Sequence, residues 1–285
     1  MKLMIKVLAV FLAALAIMVY SFRDTFSGKN DAPKIANSSA LHKIASLPGE
    51  ISESSGLVVL FGKDQYLTHN DAGGRPYLYK LNSKGDLIET IKLELSNVDW
   101  EDLTIDDKGN IYIADTGNNE NRRRELAIYK VNLDTPDQIQ AIRYTYEDQK
   151  EYPPARKDRN FDCEGIFWAD GNLYLISKDR GASETAKVYR LPDSGGQYAA
   201  KLIGSQQIKA PITGAAISPD EKKVVLLSEE KMHLFSDYSS AEEFYKGTYQ
   251  KISLKGAGQT EGIAFEDDNT LVITSEGGNL YRYKL

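Results

Sequence analysis

Polar side chains, most of them acids or amides, recur at two kinds of position in this sequence. These positions are the start of one apolar stretch and the end of the next. The starts carry Glu53, Ser55, Glu101, Asp102, Glu164, Thr213 and Glu261, and the ends carry His69, Asn70, Asp71, Asp115, Asn118, Lys178, Glu229 and Glu276. Carboxylates that face one another repel unless something neutralises them. A hard cation with oxygen ligands, Ca²⁺ foremost, would do so at ligand distances of about 2.3–2.6 Å.

Three alternatives to a metal ion stay open for these carboxylates. Lys178 is a neutraliser within the same set of residues. Protonation is another outcome, because clustered carboxylates raise one another's pKa. A purely structural role is the third, in which a Glu at the start of a strand accepts hydrogen bonds from backbone N–H groups of the neighbouring repeat. Asp and Asn close to Gly, as in Asp71-Ala72-Gly73, are also ordinary turn formers.

Other side chains that could do chemistry are few. His69, Ser55 and Asp71 could form a Ser/His/Asp arrangement, but the sequence contains no G-x-S-x-G motif. The single cysteine, Cys163, excludes an intrachain disulfide and a zinc site built from several thiolates. A basic run consists of Arg122, Arg123 and Arg124. Its guanidinium groups could clamp an anionic ligand or simply offset the acidic residues beside them.

These residues are positioned by a unit that occurs five times. Each unit begins with a small or acidic residue, then Gly or Asp, then an apolar alternation, a polar turn and a second alternating strand. The starts lie at residues 55, 101, 164, 213 and 261, so the spacings are 46, 63, 49 and 48 residues. These spacings mostly match the period of a four-stranded β-propeller blade, and the long second interval is explained mostly by a 12-residue polar stretch, Lys150 to Phe161.

The strands within each unit follow from period-2 alternation. In the second unit they are EDLTIDDKG, NIYIADTGNN, ELAIYKVNL and AIRYTYE, separated by turn residues. The fifth unit ends after three strands at Leu285, and the segment 41–47 (LHKIASL) can supply the fourth. We therefore predict an all-β, closed propeller over residues 41–285, with five blades favoured and six as the alternative.

The polar positions then meet on one face of the disc. The innermost strand of a blade and its neighbour are antiparallel, so the start of the first lies level with the end of the second. We call this side the funnel face and predict that it carries an acidic funnel around the axis.

The first 22 residues predict a targeting segment. Two lysines precede an uncharged apolar run, Val7 to Phe22, which indicates an N-terminal membrane anchor or a signal segment with the following residues outside. Residues 23–40 are polar and small and are interpreted as a tether. The net charge is -6, and without residues 1–22 it is 33 minus 41, or -8. Such an acidic body is a poor partner for nucleic acid.

Six segments resemble a family of exported bacterial propellers called SdiA-regulated or phytase-like, within the calcium-propeller group that includes lactonases and gluconolactonases. They are NDAGG (70–74), DWEDLTID (99–106), ADTGNN (114–119), DCEGI (162–166), ITGAAISPD (212–220) and QTEGIAF (259–265). The resemblance implies a central Ca²⁺ held by Glu and Asn or Asp, which polarises an ester, lactone or phosphate. By position, the implied ligands are Glu101, Asp115, Glu164 and Glu261, with Glu53 as an alternative to Glu101.

The expected function is therefore that of an exported, membrane-tethered propeller whose funnel face binds a small molecule or an envelope protein. The alternative is a Ca²⁺-dependent hydrolase of esters, lactones or phosphoesters, with Lys178 or Arg122–Arg124 holding the substrate anion. A third interpretation is a scaffold that binds protein on its blade loops.

Overall fold

A computed structural model describes residues 40–285 of the chain except Phe61 and Lys63. The predicted anchor or signal segment, residues 1–22, lies outside the described residues, as does the tether up to residue 39. Within the described part of the chain, no helix is both long enough and apolar enough to cross a membrane.

Twenty strands account for the architecture of the described residues. The chain enters through β1 (Leu41–Ser46). Blade 1 consists of β2 (Ser54–Leu60), β3 (Gln65–Asn70), β4 (Tyr77–Asn82) and β5 (Leu87–Lys92). Blade 2 consists of β6 (Trp100–Ile105), β7 (Asn110–Asp115), β8 (Leu126–Asn132) and β9 (Thr135–Tyr146). Blade 3 consists of β10 (Asp162–Ala169), β11 (Asn172–Lys178), β12 (Thr185–Pro192) and β13 (Gly196–Gln207).

The last two blades follow the same order. Blade 4 consists of β14 (Gly214–Ile217), β15 (Val224–Ser228), β16 (Lys231–Ser236) and β17 (Thr248–Ser253). Blade 5 consists of β18 (Thr260–Asp267), β19 (Thr270–Ser275), β20 (Asn279–Lys284) and, at its outer edge, β1. Two short 3-10 turns, Arg156–Asp158 and Ala241–Lys246, lie in the connections.

The predicted propeller of four-stranded antiparallel blades is confirmed, including the N-terminal strand that completes the last blade. β1 pairs with β20, with Leu41 opposite Tyr283 and Ser46 opposite Asn279. The first strand of each blade contacts the first strand of the next, and β18 contacts β2, so the ring is closed. Closure by a strand from the other end of the domain leaves β20 paired on both sides, which removes an exposed edge.

Hydrophobic cores lie between neighbouring blades. Trp100 and Leu103 of blade 2 pack against Val58 of blade 1, and equivalent clusters fill the other four blade interfaces. The outer edges of blades 2 and 3 also meet, because Ile142–Tyr146 of β9 pairs in parallel with Gly196–Ala200 of β13. The cores hold the first strands at fixed positions around the axis, and those strands carry the polar residues of the funnel face.

Candidate functional site

A β-bulge at the start of the first strand positions the acidic side chains of the funnel face. In blade 2, Trp100 pairs with Asp115 and Asp102 with Ala114, so Glu101 is the extra residue. In blade 3, Cys163 pairs with Ser177 and Gly165 with Ile176, so Glu164 is the extra residue. Blades 1 and 5 have register shifts over the equivalent positions. Bulges re-aim side chains beside functional sites, and here those of blades 2 and 3 bring Glu101 and Glu164 into one group of carboxylates.

The residue after each bulge explains why the blades approach so closely. A Cβ on Gly56, Gly165 or Gly262 would overlap backbone atoms of the next blade, so only glycine fits these positions. Blade 2 carries Asp102 instead. Its fully buried carboxylate accepts hydrogen bonds from the backbone N–H groups of Leu103 (2.8 Å), Ile166 (2.8 Å) and Ala215 (3.3 Å). Asp102 therefore links blades 2, 3 and 4 and has a structural role.

The bulged glutamates take no part in this blade-to-blade bonding through their carboxylates. The connections are made by hydroxyl groups, with Ser55 Oγ donating to Glu101 O (2.6 Å) and Thr213 Oγ1 donating to Thr260 O (2.7 Å). Thr116 Oγ1 likewise donates to the carbonyl oxygen of Cys163 (2.8 Å). The blade-to-blade bonds therefore leave these carboxylates for other contacts, which for Glu164 are made with Lys178 and Arg180.

Two groups of carboxylates share Glu101. Oxygen atoms of Asp71, Asp99 and Glu101 lie within 4.8 Å of one another, and the same holds for Glu101, Asp162 and Glu164. We call these the outer trio and the inner trio. The resemblance implied four metal ligands. Among the described residues, Glu101 and Glu164 belong to these trios, and Asp115 and Glu261 do not.

The inner trio is neutralised by two basic side chains of blade 3. Lys178 Nζ lies 2.9 Å from Glu164 Oε2, and the Arg180 guanidinium lies 2.5 Å from Glu164 Oε1 and 2.5 Å from Asp162 Oδ2. The remaining oxygen, Asp162 Oδ1, accepts the backbone N–H of Asn118. Every carboxylate oxygen of Asp162 and Glu164 thus has a donor.

The outer trio lacks such partners. Glu101 is only 6% exposed, yet no described residue donates a hydrogen bond to its carboxylate or to that of Asp99. Asp71 accepts one, from the N–H of Ala72 beside it. The Glu101 carboxylate keeps only a small contact with solvent, and ionising a carboxylate with so little water and no protein donor is costly.

The pKa values of the acidic residues reflect this crowding. Burial and the neighbouring carboxylates of Asp162 and Asp71 raise the pKa of Asp99 to about 6. Burial, with Glu164 and Asp162 next, raises the pKa of Glu101 well above its ordinary value. Burial and Asp162 raise the pKa of Glu164 to about 8, against the lowering effect of Lys178 and Arg180. The funnel face therefore holds its protons more tightly than the unfolded chain does.

Glu261 and Glu276 of blade 5 form a further acidic edge of the funnel. The amide of Gln259 donates to both of them. Burial raises the pKa of Glu261 to about 7, and the ammonium group of Lys178 opposes that rise. Glu53, on blade 1, is exposed.

Other predicted funnel residues are occupied by structural contacts. Asp115 is buried and pairs with Arg123, 2.8 Å away. Asn118 donates to Phe161 O and accepts the N–H of Arg123, and Asn70 donates to Glu50 O. Of the basic run, Arg122 and Arg124 are exposed, and Arg124 lies over the Tyr152 ring at 4.4 Å. The run therefore offers two exposed guanidinium groups rather than three.

The Ser/His/Asp arrangement is not formed. His69 is fully buried, its Nε2 accepts the backbone N–H of Gly56 and its Nδ1 lies 2.9 Å from Asn70 O. Burial lowers the pKa of His69 to about 4. Because both ring nitrogens contact the backbone and Ser55 donates to a carbonyl, neither residue is available as a base or a nucleophile.

A cavity of about 530 Å³ lies at the other end of the first strands. Its walls combine apolar residues such as Leu57 and Phe265 with charged ones such as Asp106, Asp107 and Lys108. Neither carboxylate trio of the described residues borders it, so we place the candidate site at the funnel face.

Sequence comparison places this propeller in a known family. The model of the SdiA-regulated family matches residues 52–284. The chain belongs to the SdiA-regulated family. No functionally curated protein matches the chain in sequence at a significant level.

Solved structures share the fold of this family member. A gluconolactonase from Xanthomonas campestris is 14% identical, with 90% of this chain and 96% of that chain covered and a TM-score of 0.52. The PQQ-bound aldose sugar dehydrogenase of Streptomyces coelicolor is 11% identical, with 89% of this chain and 99% of that chain covered and a TM-score of 0.51. At these identities the likeness establishes the fold alone.

Sequence reasoning missed three residues of the site, Asp99, Asp162 and Arg180. A signal for the two acids exists, because Asp-x-Glu occurs at 99–101 and again at 162–164, with both side chains reaching the same face. Arg180 follows Lys178 by two residues in the same way. Its partners lie sixteen and eighteen residues earlier in the chain, and only the β10–β11 register brings them together.

Proposed function

We propose that the protein binds a divalent cation at the outer trio and that this cation holds an oxygen-bearing ligand or partner on the funnel face. The observation that carries the proposal is Glu101, a buried carboxylate that lies against two other acids and has no donor among the described residues. A cation between Asp71, Asp99 and Glu101 would supply the missing partner.

The donor set favours a hard cation, Ca²⁺ foremost. The three side chains offer only carboxylate oxygens, which suit Ca²⁺ and Mg²⁺ better than the softer transition metals. Cys163 and His69 are buried and turned into backbone contacts, so they add no sulfur or nitrogen ligand. Asp71 and Asp99 are half-buried, which leaves the side of the trio that faces solvent open to a ligand.

A bound divalent cation supplies positive charge that attracts a carbonyl, carboxylate or phosphate oxygen. The chain's own residues would then orient the ligand. Glu261, Gln259 and Glu276 offer acceptors and an amide on one side of the funnel, and Arg122 and Arg124 offer exposed guanidinium groups at the rim. This distribution supports an anionic or hydroxyl-bearing ligand.

Hydrolysis of an ester, lactone or phosphoester is the second candidate function, and Glu261 is the observation that favours it. Its pKa of about 7 is suited to a general base that accepts a proton from water near neutral pH. The shared fold with a gluconolactonase makes lactones the first substrates to assay. Glu261→Gln would then abolish turnover without unfolding the protein.

We also propose that the protein acts outside the cytoplasm, with residues 1–22 as an anchor or a signal. The support is the sequence pattern of two lysines followed by an apolar run. Fractionation of cells and protease treatment of spheroplasts test this proposal. Recovery of the intact chain from the cytosolic fraction would contradict it.

Thermal unfolding with EDTA and then with millimolar Ca²⁺ tests the cation proposal. A ligand at about 100 times its Kd stabilises the folded state by about 2.7 kcal/mol, enough to raise the melting temperature by several degrees. We expect this rise in the native protein and its loss in Glu101→Gln. Glu53→Gln, which removes an exposed acid from the same face, is the matched control and should keep the rise. Equal responses of the two variants would refute the assignment.

A further inference from the structure

We propose that Lys178 and Arg180 take the place of a second metal ion, so that the funnel face binds one divalent cation and not two. This inference rests on the proposed cation site and names the residues that limit it to the outer trio. Its starting point is an asymmetry between two carboxylate groups of the same size that share Glu101.

The two trios differ in how their oxygens are partnered. All four oxygens of Asp162 and Glu164 have a donor within 2.9 Å, three of them from Lys178 and Arg180. The carboxylates of Asp99 and Glu101 have none among the described residues. The charges of Asp162 and Glu164 are balanced by those of Lys178 and Arg180. The outer trio carries up to three negative charges and has no side-chain cation bound to it among the described residues.

Both cations come from one short segment of blade 3. Lys178 is the last residue of β11, and Arg180 follows it in the next loop. The intervening Asp179 is buried, and its carboxylate accepts the N–H groups of Gly181, Ala182, Glu184 and Thr185. These four bonds fix the loop, so the Arg180 guanidinium is held against Asp162 and Glu164 by the fold. Arginine suits the position because its planar fork can bind two carboxylates at once.

Side-chain cations held in this way exclude a metal ion by charge and by position. A divalent ion at the inner trio would have to displace an ammonium group and a guanidinium group from contacts of 2.5–2.9 Å. Replacement of Lys178 and Arg180 by methionine leaves the three buried carboxylates of the inner trio without a cation. Of the four oxygens of Asp162 and Glu164, only Asp162 Oδ1 then keeps a donor among the described residues. That arrangement has the same demand for a cation as the outer trio.

The number of Ca²⁺ ions bound by the full chain tests this inference, counted by equilibrium dialysis with radioactive Ca²⁺. We expect one ion for the native protein and two for the double variant Lys178→Met/Arg180→Met. Arg75→Met removes an exposed guanidinium from the loop after β3, on the same face, and should bind one ion. Addition of Glu164→Gln to the double variant should return the count to one.

Each outcome decides between the two proposals. One ion in the native protein and one in the double variant would overturn this inference and leave the proposed function intact, as would two ions in the native protein. No bound ion in the native protein would overturn the proposed function itself. If the double variant unfolds without Ca²⁺, the single variants Lys178→Met and Arg180→Gln are used, and tighter or additional Ca²⁺ binding relative to Arg75→Met is the supporting result.

Discussion

At the scale of single residues, neighbouring acids on one strand have opposite roles. Asp102 is satisfied by three backbone N–H groups, whereas Glu101 beside it has no donor among the described residues. Burial raises the pKa of both carboxyls. For Asp102 the N–H groups favour the ionised form and hold three blades together, so this acid belongs to the fold and Glu101 to the site.

Asp102→Ala should therefore lower the free energy of unfolding. The change leaves three buried N–H groups without an acceptor, each worth about 1–3 kcal/mol when orphaned, so we expect a loss of about 3 kcal/mol or more. Urea unfolding measures it as a lower midpoint at an unchanged slope. Asp107→Ala, at an exposed position, is the control. A loss below about 1 kcal/mol would show that Asp102 does not link the blades.

At the scale of elements, the bulges and one turn determine where the carboxylates point. Period-2 alternation predicts the strands, their turns and the closing strand β1, because those features follow from local sequence. The bulges are local breaks in that alternation and were not predicted. The ion pairs of Arg180 could not be predicted either, because they depend on the register of two strands and on a loop fixed by Asp179.

Gly117 shows how closely the turn after β7 approaches the site. A Cβ at this position would overlap Glu101 Oε1 and the carboxyl group of Asp99. We expect Gly117→Ala to displace both ligands and to remove the Ca²⁺-dependent rise in melting temperature. Gly49→Ala, where a Cβ would meet nothing within 4 Å, is the matched control. A full Ca²⁺ response in Gly117→Ala would place the cation elsewhere.

At the scale of the whole molecule, the closed ring concentrates acids from four blades at one end of its axis. The sequence predicted that strand starts and ends meet on this side, since antiparallel neighbours bring them to one level, but it missed Asp99, Asp162 and Arg180. It did not separate the acids of the outer trio from those that bind arginine or backbone N–H groups. That distinction depends on contacts between blades.

The same concentration of acids predicts an unusual dependence of stability on pH. Burial, with the neighbouring acids next, raises the pKa of Asp99 to about 6 and of Glu261 to about 7 in the folded protein. Their protonation therefore stabilises the folded state fully below the ordinary pKa values of 3.8–4.5, and this contribution is lost as the pH rises through 6 to 7. Hydrogen bonds outweigh burial and lower the pKa values of Asp106 and Asp179. The ionised forms of these two residues stabilise the folded state above their ordinary pKa, and that stabilisation is lost as the pH falls through their lowered pKa values.

In EDTA we expect the melting temperature to fall by several degrees between pH 5 and pH 8, since each pK unit is worth about 1.4 kcal/mol. Ca²⁺ at pH 8 should reverse part of that fall, because it replaces the lost protons. Thermal unfolding at matched ionic strength measures both effects. A melting temperature that rises from pH 5 to pH 8 in EDTA would contradict the burial and crowding of these carboxyl groups.

A crystal structure grown with Ca²⁺ tests the central claim most directly. We predict one strong peak at oxygen-ligand distances of about 2.3–2.6 Å from carboxylate oxygens of Asp71, Asp99 and Glu101, with Lys178 and Arg180 still paired to Glu164. An outer trio without a peak in the presence of saturating Ca²⁺, or a peak at Glu164 with Arg180 displaced, would contradict it.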